Sequence, residues 1–498
     1  MEGSAPYIVS PENFSEAIKN GESCFIQFSQ MNSSVELAVQ RVLHRYLEKF
    51  DILYLKDMLN AILKELSNNA IKANAKRLYF KLNNLDINTP ADYRQGMETF
   101  KEIVYTPGSD FFDRLERAKL VVRVLFKTFE RHLQIHVINN IPIIDEEIHK
   151  VNARIQKAYK YDDISDAFDD VLDDSEGAGL GLIMALMLCK SAGFPNDGFK
   201  IARKGNLTIA IITIPQHIQK KELHTKITDE IIAEIDRIPS FPENIVAIQR
   251  LCANPKSSVR EIAEHIRRDP GLTANILKLA NSAGYITMNK VETIEGAVKI
   301  IGLKGINALL IASGVQRIMD SRYKKFEEVW KSSNRSAFYA QKIAMQMKRV
   351  RLAELVYLAA LLSDLGRIVM LSIRPDLGKR IKELVGIKGI GVSSVLEEMS
   401  LGMSHSTLGC KVLEKWNFNK TLISVIEYHH RPYMAPDEIR DLVYIVYLAN
   451  TLADIEKIGE KPYPIDSEIL QYFDLTEESD LILLHQSLSD AYASQTEE

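Results

Sequence analysis

The apolar pattern of this chain changes character once, near Pro215, and that change limits the fold more than any single motif does. Before it, Cys24–Phe28, Leu133–Ile138, Gly198–Arg203 and Leu207–Ile214 read as strands, the last two as a hairpin joined by Lys204-Gly-Asn206, while Val35–Phe50 and Ile52–Ala73 carry helical spacing. After it, helical spacing runs to the C-terminus without a strand signal, beginning with Ile227–Ala253 and Ser257–Arg268. A length of 498 residues exceeds what one core holds. The reading is a multidomain α+β chain, with an α+β unit over 1–215, a polar linker over 216–226 and an all-α unit over 227–498.

Bulk composition excludes several classes of function. A net charge of −4 gives no general attraction to nucleic acid or to an anionic membrane surface, so neither is expected as a partner. The four cysteines, Cys24, Cys189, Cys252 and Cys410, lie far apart without CxxC spacing and read as buried thiols in a reducing compartment. Met1–Ser10 has no basic segment leading into an apolar run, and no segment approaches the roughly 18 to 20 apolar residues of a membrane span. A cytoplasmic protein is expected.

Two motifs in the first half carry chemistry. Gly177, Gly179 and Gly181 alternate through Glu176–Leu182 and run into the apolar segment Ile183–Leu188. Glycines let backbone approach an anion, and the helix that follows offers free N–H groups, although a ligand-free glycine turn looks the same in sequence. Upstream, Glu65 and Asn69 are four residues apart, so both leave one helix face, with Lys72 a turn further on. That face is also what an ordinary solvated helix presents. Arg77–Leu82 reads as the strand that follows.

Taken in order, these motifs resemble the GHKL ATPase family of histidine kinases, type II topoisomerases, MutL and the large heat-shock chaperones. Residues 58–75 are similar to its N box and 174–193 to its second glycine box. The resemblance implies an α/β sandwich with a mixed, mostly antiparallel sheet and helices on one face. It implies ATP or ADP with Mg2+, with Asn69 holding the magnesium, Lys72 on a phosphate, Gly177, Gly179 and Gly181 cradling phosphates, and Glu65 as general base. Asn139, after the strand Leu133–Ile138, stands where the family's adenine-binding Asp belongs, and Ile141 replaces the following glycine. Residues 83–132 read as a helical insertion, with helical patterns around Arg94–Val104 and Phe111–Phe129, available for homodimer or partner contacts or as plain scaffold elaboration. The acidic run 162–176 falls at the family's lid, or is a solvated surface, and His44 lacks the acidic neighbour of a phosphoacceptor.

In the second half, Ile238-Pro-Ser-Phe-Pro242, Arg268-Asp-Pro-Gly-Leu-Thr273, Leu279-Ala-Asn-Ser-Ala283 and Ile301-Gly-Leu303 resemble the HDOD domain of bacterial signalling proteins. That domain is similar to HD phosphohydrolases, whose metal is held by a His, a His-Asp pair and a later Asp. Here Ser332, Ser363 and Asn450 replace three of those ligands, while Asp364, His405, His429 and His430 remain. The resemblance implies a protein-interaction domain without phosphohydrolase activity and no metal in this half, its histidines packing against helix ends and donating to backbone carbonyls; a residual metal site is the alternative. A last helix over Asp480–Tyr492 is expected to cap the bundle, with a mobile tail at Ala493–Glu498. The function expected is signal transduction, in which nucleotide on the first domain alters how the second engages a protein partner. An active ATPase or protein kinase using Glu65 as base, and a scaffold with both domains degenerate, are the alternatives.

Overall fold

The computed structural model describes residues 7–10, 14–104, 111–161, 180–195, 197–215, 226–281, 291–323, 326–373, 401–458, 467–475 and 478–496, with positions 375, 394, 397, 398 and 465. The chain forms two compact units, the first comprising Met1–Leu223 and the second beginning at His224.

In the first unit one sheet carries β1 (Tyr7–Ser10), β2 (Cys24–Phe28), β3 (Val122–Thr128), β4 (His132–Asn139), β5 (Phe199–Lys204) and β6 (Leu207–Pro215), in the order β1-β2-β3-β4-β6-β5. Every pairing is antiparallel, so the expected mixed sheet is corrected. Successive side chains alternate between faces, which places Ile26, Val124, Val137 and Ala210 in one register row, all buried. Helices α1 (Phe14–Asn20), α2 (Ser33–Lys49), α3 (Lys56–Leu82), α4 (Pro90–Val104), α5 (Phe111–Arg117), α6 (Asp145–Lys160) and α7 (Leu180–Ser191) complete the unit. Both α2 and α3 pack on the sheet, and Tyr46 of α2 stacks on Phe126 of β3 with centroids 5.3 Å apart.

Two sequence readings fail here. The strand expected at Arg77–Leu82 is the last turn and a half of α3. Its dense apolar run reads with a period of two, but α4 and α5 cover the end of the helix, so Leu78, Tyr79 and Phe80 are all buried at once. Tyr79 meets Phe100 and Phe111, Phe80 meets Tyr93, and the Tyr79 hydroxyl lies 2.7 Å from Thr99 Oγ1. The helix expected over Phe111–Phe129 stops at Arg117. Lys119, at φ 55°, takes the left-handed conformation that ends the helix, and Val122–Thr128 continues as β3. The stretch 83–132 is therefore not a helical insertion throughout, since its last part supplies a central strand.

The second unit is helical among its described residues: α8 (Lys226–Arg237), α9 (Glu243–Ala253), α10 (Val259–Arg267), α11 (Pro270–Ala280), α12 (Ile294–Arg322), α13 (Glu327–Gln346), α14 (Ala353–Leu362), α15 (Leu365–Ile373), α16 (His405–Lys415), α17 (Lys420–Tyr428), α18 (Arg440–Ile458), α19 (Ser467–Tyr472) and α20 (Glu478–Thr496). The single helix read over Ile227–Ala253 is two, divided at Ile238-Pro-Ser-Phe-Pro242, where both prolines oppose helix continuation. Two stretches, Ile294–Arg322 and Val350–Ile373, are long and apolar enough to cross a membrane by composition, which corrects the expectation that none is; both are mostly buried in the protein. α20 packs on α13, with Tyr492 against Phe338 at 5.4 Å, as the expected cap. It runs on to Thr496, so residues 493–496 are helix rather than a mobile tail.

The marker sequences of this unit serve as caps and clamps. Asp269 Oδ1 accepts the Leu272 N–H at the start of α11, while Oδ2 accepts from Arg317 Nη1 at 2.7 Å and from Asn244 Nδ2 at 3.2 Å. Asn281 donates to Leu277 O and Val291 O and accepts from Val291 N, tying the two sides of the α11–α12 connection together. Gly302, at φ 79°, breaks α12 with a kink that a side chain would strain.

Candidate functional sites

In the second unit α14 ends at Leu362, Ser363 and Asp364 make the corner, and α15 leaves at Leu365. The N-terminus of α16 packs tightly there, because a Cβ on Gly366 would lie 2.0 Å from His405 O and 2.5 Å from Gly409 N. Only glycine permits that approach, and it brings His405 beside the corner. His429 and His430 arrive from the C-terminal end of α17. The ligand-capable atoms of His405, His429 and His430 all lie within 4.8 Å of one another. His405 Nε2 is 3.0 Å from His430 Nε2 and 3.7 Å from Asp364 Oδ1, and Arg367 Nη1 holds the same Asp364 oxygen at 3.2 Å.

Burial controls the charge of this cluster. Removal from water, reinforced by His405, pushes the His429 imidazole down to about 4. Burial, then the neighbouring His429 and His405, holds His430 well below its ordinary value. Both rings are neutral at pH 7. His429 Nδ1 lies 2.6 Å from Ile426 O, and since a carbonyl only accepts, Nδ1 carries the proton and Nε2 presents its lone pair. His429 is 1% exposed, and its Nε2 has no hydrogen-bond partner among the described residues. An orphaned imidazole nitrogen, two further imidazoles and a carboxylate fit a divalent cation by their chemistry.

The positions that lost metal ligands behave differently. Asn450 Nδ2 donates to Ser363 Oγ at 3.2 Å, and Ser363 Oγ donates to Ala360 O. Ser332 is buried on α13, which packs against both α14 and α18. These groups offer no anionic ligand, and Asn450 Oδ1 has no hydrogen-bond partner among the described residues. Arg367, which orients Asp364, was not marked by the sequence reading; its spacing of one helical turn from Asp364 is the available signal.

In the first unit, α3 packs against both β4 and α7, so the elements bearing the expected nucleotide residues are neighbours. Asn69 Nδ2 donates to Glu65 Oε1 at 3.1 Å, both side chains half-buried, and Lys72 is exposed one turn on. Asn139 ends β4, is 4% exposed, and donates through Nδ2 to Asn74 Oδ1 at 3.4 Å, while Asn74 donates to Val121 O. Asn74 was not singled out from sequence, and its place on the same helix as Asn69 is the signal that could have found it. Gly181 lies in the first turn of α7. Gly177, Gly179 and the acidic run 162–176 lie outside the described residues.

One feature fixes the far end of α3. Lys76 and Arg77 both bind Glu147 on α6, Arg77 Nη2 at 2.8 Å, and Glu147 Oε2 also accepts the Ile144 N–H. Burial raises the Glu147 carboxyl, but the two cations outweigh it and hold it below its ordinary value.

Comparison with known proteins separates the two units. Residues 238–432 match the HDOD domain. An uncharacterized protein of Treponema pallidum (strain Nichols) is 29% identical over 490 residues, covering 98% of this chain and 95% of its own. Among solved structures, an HDOD domain protein of unknown function from Geobacter sulfurreducens is 22% identical, covering 54% of this chain and 94% of its own, with a TM-score of 0.45. A protein of Marinobacter aquaeolei VT8, described provisionally as a signal transduction protein, is 17% identical over 62% of this chain and 80% of its own, with a TM-score of 0.43. The family match lies outside the antiparallel-sheet unit and lends no support to its GHKL reading. The C-terminal half of this chain carries an HDOD domain.

Proposed function

We propose that the chain is a cytoplasmic signal-transduction regulator in which a Mg2+-nucleotide bound by the N-terminal unit sets how a non-catalytic HDOD domain engages a protein partner. The observation that carries the nucleotide part is the Glu65–Asn69 pair on α3, the helix that packs on both β4 with Asn139 and the glycine-led α7. In this reading Asn69 supplies a hard oxygen to magnesium, Lys72 contacts a phosphate, and Gly177, Gly179 and Gly181 supply backbone N–H groups to the phosphates. Asn139 accepts from the base through its amide oxygen. The absence of anionic ligands at Ser332, Ser363 and Asn450 supports a regulatory role for the HDOD domain over hydrolysis.

Titration calorimetry with Mg-ATP and Mg-ADP tests the binding step. Saturable heat for the intact chain, weakened at least about tenfold by Asn69→Ala, is expected. No heat above buffer at millimolar nucleotide removes the reading. Turnover is the second reading, with Glu65 as the general base that activates water. Phosphate release that persists unchanged in Glu65→Ala takes Glu65 out of that role.

A further inference from the structure

We propose that Asn74 is a positioning residue: it fixes which end of the Asn139 side-chain amide is offered to a nucleotide base, and so selects an amino purine over an oxo purine. This rests on nucleotide binding by the N-terminal unit as read above. An asparagine amide has a donor end and an acceptor end, and its neighbours decide which of them faces a ligand. Here the decision starts at a backbone carbonyl. Val121 O can only accept, so the Asn74 nitrogen faces it, at 3.3 Å, and the Asn74 oxygen is left for Asn139. That oxygen accepts from Asn139 Nδ2 at 3.4 Å, which turns the donor end of Asn139 towards α3. Asn139 Oδ1 is the end that remains, and no hydrogen bond reaches it among the described residues.

Each link in this relay is held by something else. Asn140 brackets Val121: its N–H donates to Val121 O at 3.4 Å, its Oδ1 accepts the Val121 N–H at 2.9 Å, and its Nδ2 donates to Lys119 O at 2.7 Å. Asn139 ends a central strand, paired with Val122 on one side and Thr208 on the other. Asn74 is 1% exposed and Asn139 4%, so a reversed Asn139 amide would set oxygen against oxygen away from water. The exocyclic amine of adenine donates into the acceptor that Asn139 presents. Hypoxanthine carries a carbonyl at the same ring position and would bring a second acceptor there. A buried polar group left facing the wrong partner discriminates far more strongly than an apolar wall does.

The test is titration calorimetry of the full chain with Mg-ATP and with Mg-ITP, the inosine analogue. Wild type is expected to bind ATP at least about tenfold more tightly than ITP. Asn74→Leu frees the Asn139 amide to rotate, so the ratio of the two affinities is expected to fall to within about threefold, through weaker ATP and stronger ITP binding. A purely structural role would weaken both nucleotides together and leave that ratio unchanged. Asn74→Ala, which deletes the amide and suits the helix, serves if the first variant does not fold. Equal affinity for ATP and ITP in wild type, or full discrimination in a folded Asn74 variant, overturns this proposal and leaves nucleotide binding standing. Binding of neither nucleotide by wild type removes both.

Discussion

The two candidate sites are built in opposite ways. In the HDOD unit the chemical groups come from helix ends already locked by packing, and His405 is fully buried beside a glycine contact that admits no side chain. In the N-terminal unit they lie along a half-exposed face of α3 and at neighbouring elements, joined by one hydrogen bond between Asn69 and Glu65. A site of the first kind is assembled by folding itself. A site of the second kind gains its order from whatever binds it, as expected where ligand energy drives a regulatory change.

That contrast can be broken by substitution. The largest effect is expected from Gly366→Ala, whose new Cβ meets His405 O and Gly409 N, backbone atoms that cannot step aside. A loss of about 3 kcal/mol or more is expected by chemical denaturation. Full stability in that variant would show that the helix ends are not locked. Glu147→Gln comes next, because it leaves Lys76 and Arg77 partly buried without their carboxylate. About 2 kcal/mol at pH 7 is expected. The lowered carboxyl stabilises fully above its ordinary value of 4.5 and loses that contribution as pH falls through the lower folded value, so wild type and variant converge in acid. A difference that persists unchanged well below pH 4 contradicts the assignment.

Asn69→Ala is expected to shift stability by about 0.5 kcal/mol or less, since its bond to Glu65 is half-exposed, while costing at least about tenfold in nucleotide affinity. A large stability loss with unchanged affinity would make Asn69 structural and erase the contrast. Asp269→Asn keeps an oxygen for the Leu272 N–H but weakens the hold on Arg317, an effect on stability alone. About 1 kcal/mol is expected from urea unfolding.

Legibility from sequence followed the same division. The HDOD markers were readable because each is tied to local backbone geometry: Asp269 capping α11, Asn281 bridging to Val291, Gly302 at positive φ. Such roles admit few residue types, so they leave a signature. Asp364, His405, His429 and His430 stand together in the sequence as the retained members of a ligand pattern, but how closely the three histidines approach depends on how α16 and α17 pack. In the first unit the strands β2, β4, β5 and β6 were read correctly from their alternation. β3 was missed because Phe111–Arg117 began a helical pattern that Lys119 ends without glycine or proline. The end of α3 looks like a strand in sequence because Leu78, Tyr79 and Phe80 are buried in succession, which removes the polar stripe that normally marks a helix.

All four cysteines are free, three of them buried and Cys252 half-buried. Cys189 and Cys410 are pushed up to about 12 and half-buried Cys252 to about 11, and burial raises Cys24 as well. Thiols held in the protonated form react slowly with maleimides near neutral pH. A cysteine introduced at exposed Lys72 would therefore take a fluorescent dye nearly alone, giving an optical reporter on α3 without first removing the native thiols.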